Sequence, residues 1–198
     1  MALIILKIFL FILWIYFLYV FQRGKLAFFK FLLGSIGLFF IFMNFIDFFK
    51  VPCIQFFTYI LSLIGKWTSL FEGYVEYGMF FINHNNTVIS LYIDLECSGL
   101  IEMMVFISLI TFFPVYKPFE KIKIGLTGIV FICIFNYIRI LSIILLIYQF
   151  GSPVYAFAHS IFGRFVFYVL IIILYFNVFT KSQLSRQKVG KFDYHSKD

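Results

Sequence analysis

The chain has 198 residues, 63% of them hydrophobic and 24% aromatic, with only 13% charged and a formal net charge of +7. So few charges cannot clothe a soluble domain of this size, so its apolar surface must face lipid and no separate soluble domain fits beside the spans. The basic residues stand in short clusters beside apolar runs, a pattern that orients membrane helices and gives no reason to expect a nucleic-acid partner.

About 20 apolar residues cross a bilayer as a helix. The first span runs from Ala2 to Phe21. Its length and its lack of a small-residue cleavage site mark a retained span, not a signal peptide. Gln22-Arg23-Gly24-Lys25 breaks it, and a second span follows from Phe28 to Phe49. Val51 to Gly65 is apolar, with Pro52 at its start. At about 1.5 Å per residue it is too short to cross, which predicts a re-entrant or interfacial helix. Tyr74 to Ile82 and Val88 to Leu95 are rich in β-branched and aromatic residues and flank Asn83-His84-Asn85-Asn86. That pattern predicts a β-hairpin. A third span runs from Ser98 to Phe113 before Pro114, a fourth from Ile122 to Phe150, and a fifth from Val154 to Thr180.

The expected fold is an all-α integral membrane protein of about five transmembrane helices, with a short re-entrant or interfacial helix and an extracytoplasmic β-hairpin. Residues 1–180 form one polytopic domain and 181–198 a basic cytoplasmic tail, frayed at its end. Orientation follows the Lys and Arg clusters: Arg23, Lys25 and Lys30; then Lys117, Lys121 and Lys123; then Lys181, Arg186, Lys188, Lys191 and Lys197. All three are cytoplasmic provided Val51 to Gly65 does not cross, whereas a full crossing moves the first cluster outside. The expected location is the plasma membrane.

Ionisable residues inside spans are costly and mark function or a buried pair. Asp47, Glu102, Arg139, His159 and Arg164 qualify. Arg139 lies about 16 residues, or roughly 24 Å of helix rise, beyond Lys123, near the outer end of the fourth span. His159 lies just past the Gly151-Ser152-Pro153 turn, and Cys97 directly precedes the third span. A thiol, a guanidinium and an imidazole thus reach one depth from three helices. That set suits acyl transfer, with a thiolate nucleophile, a proton shuttle and a fixed cation. At a helix N-terminus, the macrodipole and free amides would also lower the Cys97 pKa. Ser98 and Gly99 leave room beside the sulfur.

Each residue also has a plainer role. Cys53 and Cys133 read as packing, and three cysteines do not make a disulfide framework. Arg139 alone could pair with Glu102 or snorkel outward, and His159 alone could be an interfacial aromatic. One Cys and one His lack the further ligands zinc needs, so neither metal nor cofactor is expected. Asp47 and Asn44 suit an internal polar contact. His84 belongs to a solvated turn and His195 to the tail, and Asn85-Asn86-Thr87 matches a glycosylation acceptor by chance.

Three motifs in order carry a stronger signal: Glu96-Cys97-Ser98-Gly99-Leu100, Asn136-Tyr137-Ile138-Arg139, and His159-Ser160-Ile161-Phe162-Gly163-Arg164. Together they resemble the exosortase/archaeosortase family, with C-S-G opening a helix, N-x-x-R in the next and H-x-x-x-G in the last. Asn136 and Arg139 share a helix face, and Gly163 lies one turn beyond His159. The resemblance implies a membrane-embedded cysteine protease-transpeptidase acting on proteins with a C-terminal sorting signal: a short motif, a hydrophobic helix and a basic end. Cys97 would attack the scissile carbonyl, His159 act as acid and base, and Arg139 stabilise charge, with Ser98, Gly99, Asn136 and Gly163 in support. The thioacyl-enzyme would pass to an amine, glycan or lipid acceptor, or to water. The chain is short for the family and similar to a compact type, the exosortase G class of Gram-positive bacteria. Glu96 stands where relatives often carry a small residue. Its carboxylate would raise the thiol pKa unless it points away or pairs with Arg139 or Arg164. The competing reading is a non-enzymatic membrane subunit or scaffold of an export or surface-glycan assembly system. A transporter fits less well, because the polar groups gather at one face.

Overall fold

The computed structural model describes residues 2–84 and 87–186. The helices are α1 (Ala2–Arg23), α2 (Ala27–Asn44), α3 (Ile46–Thr68), α4 (Leu100–Phe112) and α5 (Pro118–Phe150). Strands β1 (Phe71–Tyr74), β2 (Met79–His84) and β3 (Thr87–Tyr92) lie between α3 and α4. A last rod begins with a 3-10 turn, Ser152–Val154, and α6 (Tyr155–Phe157). A π-helical turn, Ala158–Phe162, leads into α7 (Gly163–Tyr175), and a second, Phe176–Thr180, into α8 (Lys181–Arg186).

Among the described residues, five helices are long and apolar enough to cross a membrane: α1, α2, α3, α5 and the last rod. With exposed Phe, Ile and Leu along these helices, the chain is a multi-pass membrane protein whose outer surface is solvated by lipid. The expected number of long helices is found, but α3 has 23 residues and α4 only 13. Pro52 sits in the second turn of α3, not at its start, so the helix gains the residues from Ile46 onward.

The path of the chain decides which of these helices crosses. Lys25 and Lys30 line a cavity with Thr111, Phe112 and Lys121. The Tyr116 hydroxyl donates to Val178 O on the last rod at 2.5 Å. The start of α2, the end of α4, the start of α5 and the end of the last rod therefore share one basic end. Helices α2 and α4 run antiparallel: Gly34 faces Phe112, and Phe39 and Phe40 line a pocket with Val105 and Leu109. The chain leaves the basic end along α2 and returns along α4. Whatever lies between, α3 and the sheet, makes no net crossing. Val51 to Gly65 thus keeps its expected place at one end, although its helix is longer than expected. Small residues make these contacts possible, since Gly34 and Gly37 admit the rings of Phe112 and Trp14.

The sheet has three antiparallel strands in the order β1-β2-β3. The hairpin is found at β2–β3, with Phe80 opposite Leu91 and His84 opposite Thr87. The segment expected as its first strand is instead divided. Gly78, at φ +64°, closes a turn that pairs Tyr74 with Met79 and creates β1. A side chain at Gly78 would overlap Ile54, so the turn is fixed against α3. Asn85 and Asn86 of the expected hairpin turn, the acceptor match that rests on them, and Lys188, Lys191, His195 and Lys197 lie outside the described residues. His84 departs from its solvated reading. Its Nδ1–H donates to Tyr148 O at 2.7 Å, and its ring fits against Gly151, pinning the sheet to the end of α5.

Two clusters form the interior. One joins α3, the sheet and the far half of α5 through Phe57, Leu61, Phe80, Ile82, Ile144 and Ile147, and it includes Cys97. The other, around Phe106, Ile132, Phe167 and Ile171, joins α4, α5 and α7. Asn136 of α5 is level with Gly99. It lies about 14 residues, or roughly 21 Å, short of Phe150, and the sheet and α3 pack around that overhang.

Candidate active site

Cys97 lies in the short link between the sheet and α4. Helix α4 begins at Leu100, so the thiol sits three residues before the helix rather than at its first turn. Asp94 and Ser98 hold this link. The Cys97 N–H donates to Asp94 Oδ1 at 2.8 Å, and the Ser98 hydroxyl donates to Leu95 O at 2.7 Å. Gly99 caps α4 at φ +70°, where glycine escapes the strain of a side chain. A Cβ there would also meet Asn136 Cγ at 3.3 Å. These small residues give the link a tight turn flush against α5.

Helix α5 contributes two of its buried polar side chains. Asn136 Nδ2 donates to Cys97 O at 2.9 Å. Arg139, three residues on, spreads its guanidinium across the link: Nη1 donates to Glu96 O at 3.1 Å and Nη2 to the sulfur at 3.2 Å. Its flat face lies over the Phe167 ring, 5.4 Å from the centroid. At 2% exposure, a cation held by two hydrogen bonds and an aromatic face has little freedom to snorkel. The expected alternative pair is not made, because Glu102 Oε2 and Arg139 Nε each lack a hydrogen-bond partner.

The last rod brings His159, whose Nε2 lies 3.2 Å from Cys97 Sγ. His159 belongs to the π-helical turn Ala158–Phe162. Such a turn inserts a residue into the helical register and re-aims side chains, and it recurs at functional sites. The Tyr155 ring lies parallel to the imidazole at 6.0 Å. Gly163 allows the rod to close on α5, since a Cβ there would stand 2.5 Å from Ile143 Cδ1.

Every sequence-predicted member is therefore in one place: Cys97, Arg139 and His159 in direct contact, Asn136 on the Cys97 carbonyl, and Ser98, Gly99 and Gly163 shaping the backbone. Glu96 pairs with Arg164 at 2.8 Å on the half-exposed edge of the cluster, the outcome in which its carboxylate is engaged away from the thiol. Asp47 stands apart. Its expected partner Asn44 accepts instead from Lys7 Nζ at 2.7 Å and donates to Phe40 O. The break between α2 and α3 at Phe45 removes the helical spacing on which that contact depended. Cys53 packs against the core cluster that includes Cys97, as expected, and its Sγ lies 3.9 Å from Ser98 O.

Asp94 and Tyr155 are additions to the sequence reading. Asp94 falls within the expected segment Val88 to Leu95, although an Asp three residues before a buried Cys is the spacing of a side-chain cap on a turn. Tyr155 precedes His159 by one helical turn within the expected fifth span, a spacing that the sequence carries.

Burial pushes the Cys97 thiol up to about 12; Arg139 pulls it down most, and Asp94 raises it further. The expected lowering by a helix terminus is lost, because the thiol stops short of α4 and the Leu100 amide is occupied by Ser98 Oγ at 3.3 Å. Burial thus favours the neutral thiol beside the His159 imidazole. Among the described residues no cluster of His, Cys, Asp and Glu could hold a metal ion.

The family model described as transmembrane exosortase matches residues 2–176. No curated protein and no solved structure matches the chain.

Proposed function

This chain belongs to the transmembrane exosortase family, and on that footing we propose that it is a cysteine transpeptidase whose nucleophile is Cys97. One observation carries the reading: the sulfur stands between His159 Nε2 and Arg139 Nη2, 3.2 Å from each. The proposed substrate is a membrane-anchored protein with a C-terminal sorting signal. The basic end of the bundle faces the cytoplasm, by the placement of Lys and Arg. The thiol then serves the extracytoplasmic side of the plasma membrane.

The steps follow from the contacts. As Sγ attacks the scissile carbonyl carbon, its proton passes to His159 Nε2, so thiolate forms only as it is consumed. The carbonyl oxygen gains the negative charge. In many thiol enzymes the nucleophile's own amide helps bind that oxyanion, but here the Cys97 N–H is committed to Asp94. The guanidinium of Arg139 is the donor left to stabilise it. Collapse breaks the C–N bond, and His159 returns the proton to the departing amine. An acceptor amine or hydroxyl, or water, then attacks the thioester and gives up its proton through His159. The acyl group leaves on the acceptor and the thiol is restored.

The test is processing of a candidate substrate in a membrane that carries the enzyme. Cys97→Ala, Arg139→Ala and His159→Ala should insert normally and leave the precursor intact. Unimpaired processing by Cys97→Ala ends the proposal. It would favour the scaffold reading, in which the same cluster serves only to hold the helices together.

A further inference from the structure

At the basic end, away from the thiol, a cavity of about 490 Å³ opens between the α1–α2 turn and the α4–α5 junction. Three ammonium groups, from Lys25, Lys30 and Lys121, line it. Lys30 Nζ donates to Gln22 Oε1 at 3.3 Å and Lys121 Nζ to Thr111 O at 2.7 Å. Both partners are neutral, and none of the three lysines has a carboxylate partner among the described residues. Lys30 and Lys121 are close enough to repel each other. An ammonium offers three N–H donors, so each of these keeps at least two in hand. Gathered like charges with spare donors and no carboxylate partner favour an anion among them. Phe21, Ala27, Phe112 and Pro114 give the wall an apolar part beside Gln22 and Thr111. It stands at the basic end of the lipid-facing helices α1 and α2.

We infer that this cavity binds the phosphate of an anionic phospholipid, with its glycerol and upper acyl chain against Phe21 and Phe112. The apolar wall separates this ligand from a soluble anion, which would gain nothing from it. The site is distinct from the proposed catalytic cluster and does not depend on that reading. Its effect is to anchor the joint between α1–α2 and α4–α5, the end from which α4 carries the Cys97 link.

The experiment uses the full chain in nanodiscs of phosphatidylglycerol mixed with phosphatidylcholine, and counts retained lipids by native mass spectrometry. The wild type should keep one phosphatidylglycerol in preference. Lys25→Gln with Lys30→Gln and Lys121→Gln should cut that preference by about tenfold or more, since each lysine near an anionic headgroup adds about a fivefold factor. Lys117→Gln with Lys123→Gln and Lys181→Gln removes the same charge outside the cavity and should change it by less than about threefold on the same scale. If the first triple variant does not fold, Lys25→Gln alone serves, because Lys25 makes no side-chain hydrogen bond among the described residues; it should lose about fivefold. Equal losses in both triple variants would reduce the effect to diffuse surface attraction and overturn the inference. No preference in the wild type, or displacement of the lipid by inorganic phosphate, would overturn it too.

Discussion

Asp94→Asn tests how the thiol is held neutral. The substitution keeps an oxygen that can accept from the Cys97 N–H and removes one negative charge. In the wild type that oxygen lies 2.8 Å from the Cys97 amide nitrogen. Taking roughly 5 Å from carboxylate to sulfur and an effective dielectric of about 20, the interaction is about 3 kcal/mol, an upper bound of about two pKa units. Asp94 is half-buried, and screening reduces this to about one unit. The sign is fixed: a carboxylate disfavours thiolate, so its loss lowers the Cys97 pKa. Below that pKa the thiolate fraction rises about tenfold, and the weaker nucleophilicity of a more acidic thiolate trims the gain in rate to about threefold. The assay is alkylation by iodoacetamide at pH 8 in a Cys53→Ala, Cys133→Ala background. Wild-type labelling should climb with pH through the alkaline range without a plateau below pH 10, because the thiol lies near 12. Asp94→Asn should label faster at pH 8. A rate unchanged or slower in folded protein refutes the electrostatic reasoning.

Other substitutions test other parts of the cluster. Arg139→Lys keeps the charge but cannot span Glu96 O and the sulfur together, so processing should fall by about a hundredfold or more, read as kcat against an unchanged level of inserted protein. Gly163→Val would drive a side chain into Ile143 and push the rod off α5. Overpacking of this kind costs about 1–3 kcal/mol, seen as a lower unfolding temperature in detergent, and it should slow processing by moving His159. Glu96→Gln breaks a half-exposed ion pair worth about 1 kcal/mol at most, so processing should stay within about threefold of wild type.

The spans and the members of the cluster were legible because both rest on local or strongly patterned signals. Apolar length marks a helix for lipid wherever it occurs, and depth counted from Lys123 sets Arg139 at one level with Cys97 and His159. What was not legible depended on partners distant in sequence. The residues of α3 do not record its length, since it starts at Ile46 and not at Pro52; its lack of a net crossing, expected from Val51 to Gly65, agrees with where α4 ends against Gly34 of α2. The division at Gly78 needed Ile54 to fix the turn. The raised thiol pKa needed burial by α5 and the last rod, and the helix-terminus effect that Cys97-Ser98-Gly99 suggests locally is absent because α4 starts only at Leu100. Glu96 could be judged only when Arg164 was found beside it.

The central claim is that Cys97 carries the acyl group. The most direct measurement is the intact mass of the enzyme after acid quenching during turnover of a substrate with a C-terminal helix. A covalent adduct with the mass of the processed substrate, mapped to Cys97 and released by hydroxylamine, is the expected result. Processing that proceeds at the wild-type rate in Cys97→Ala, with no such adduct in the wild type, would contradict it.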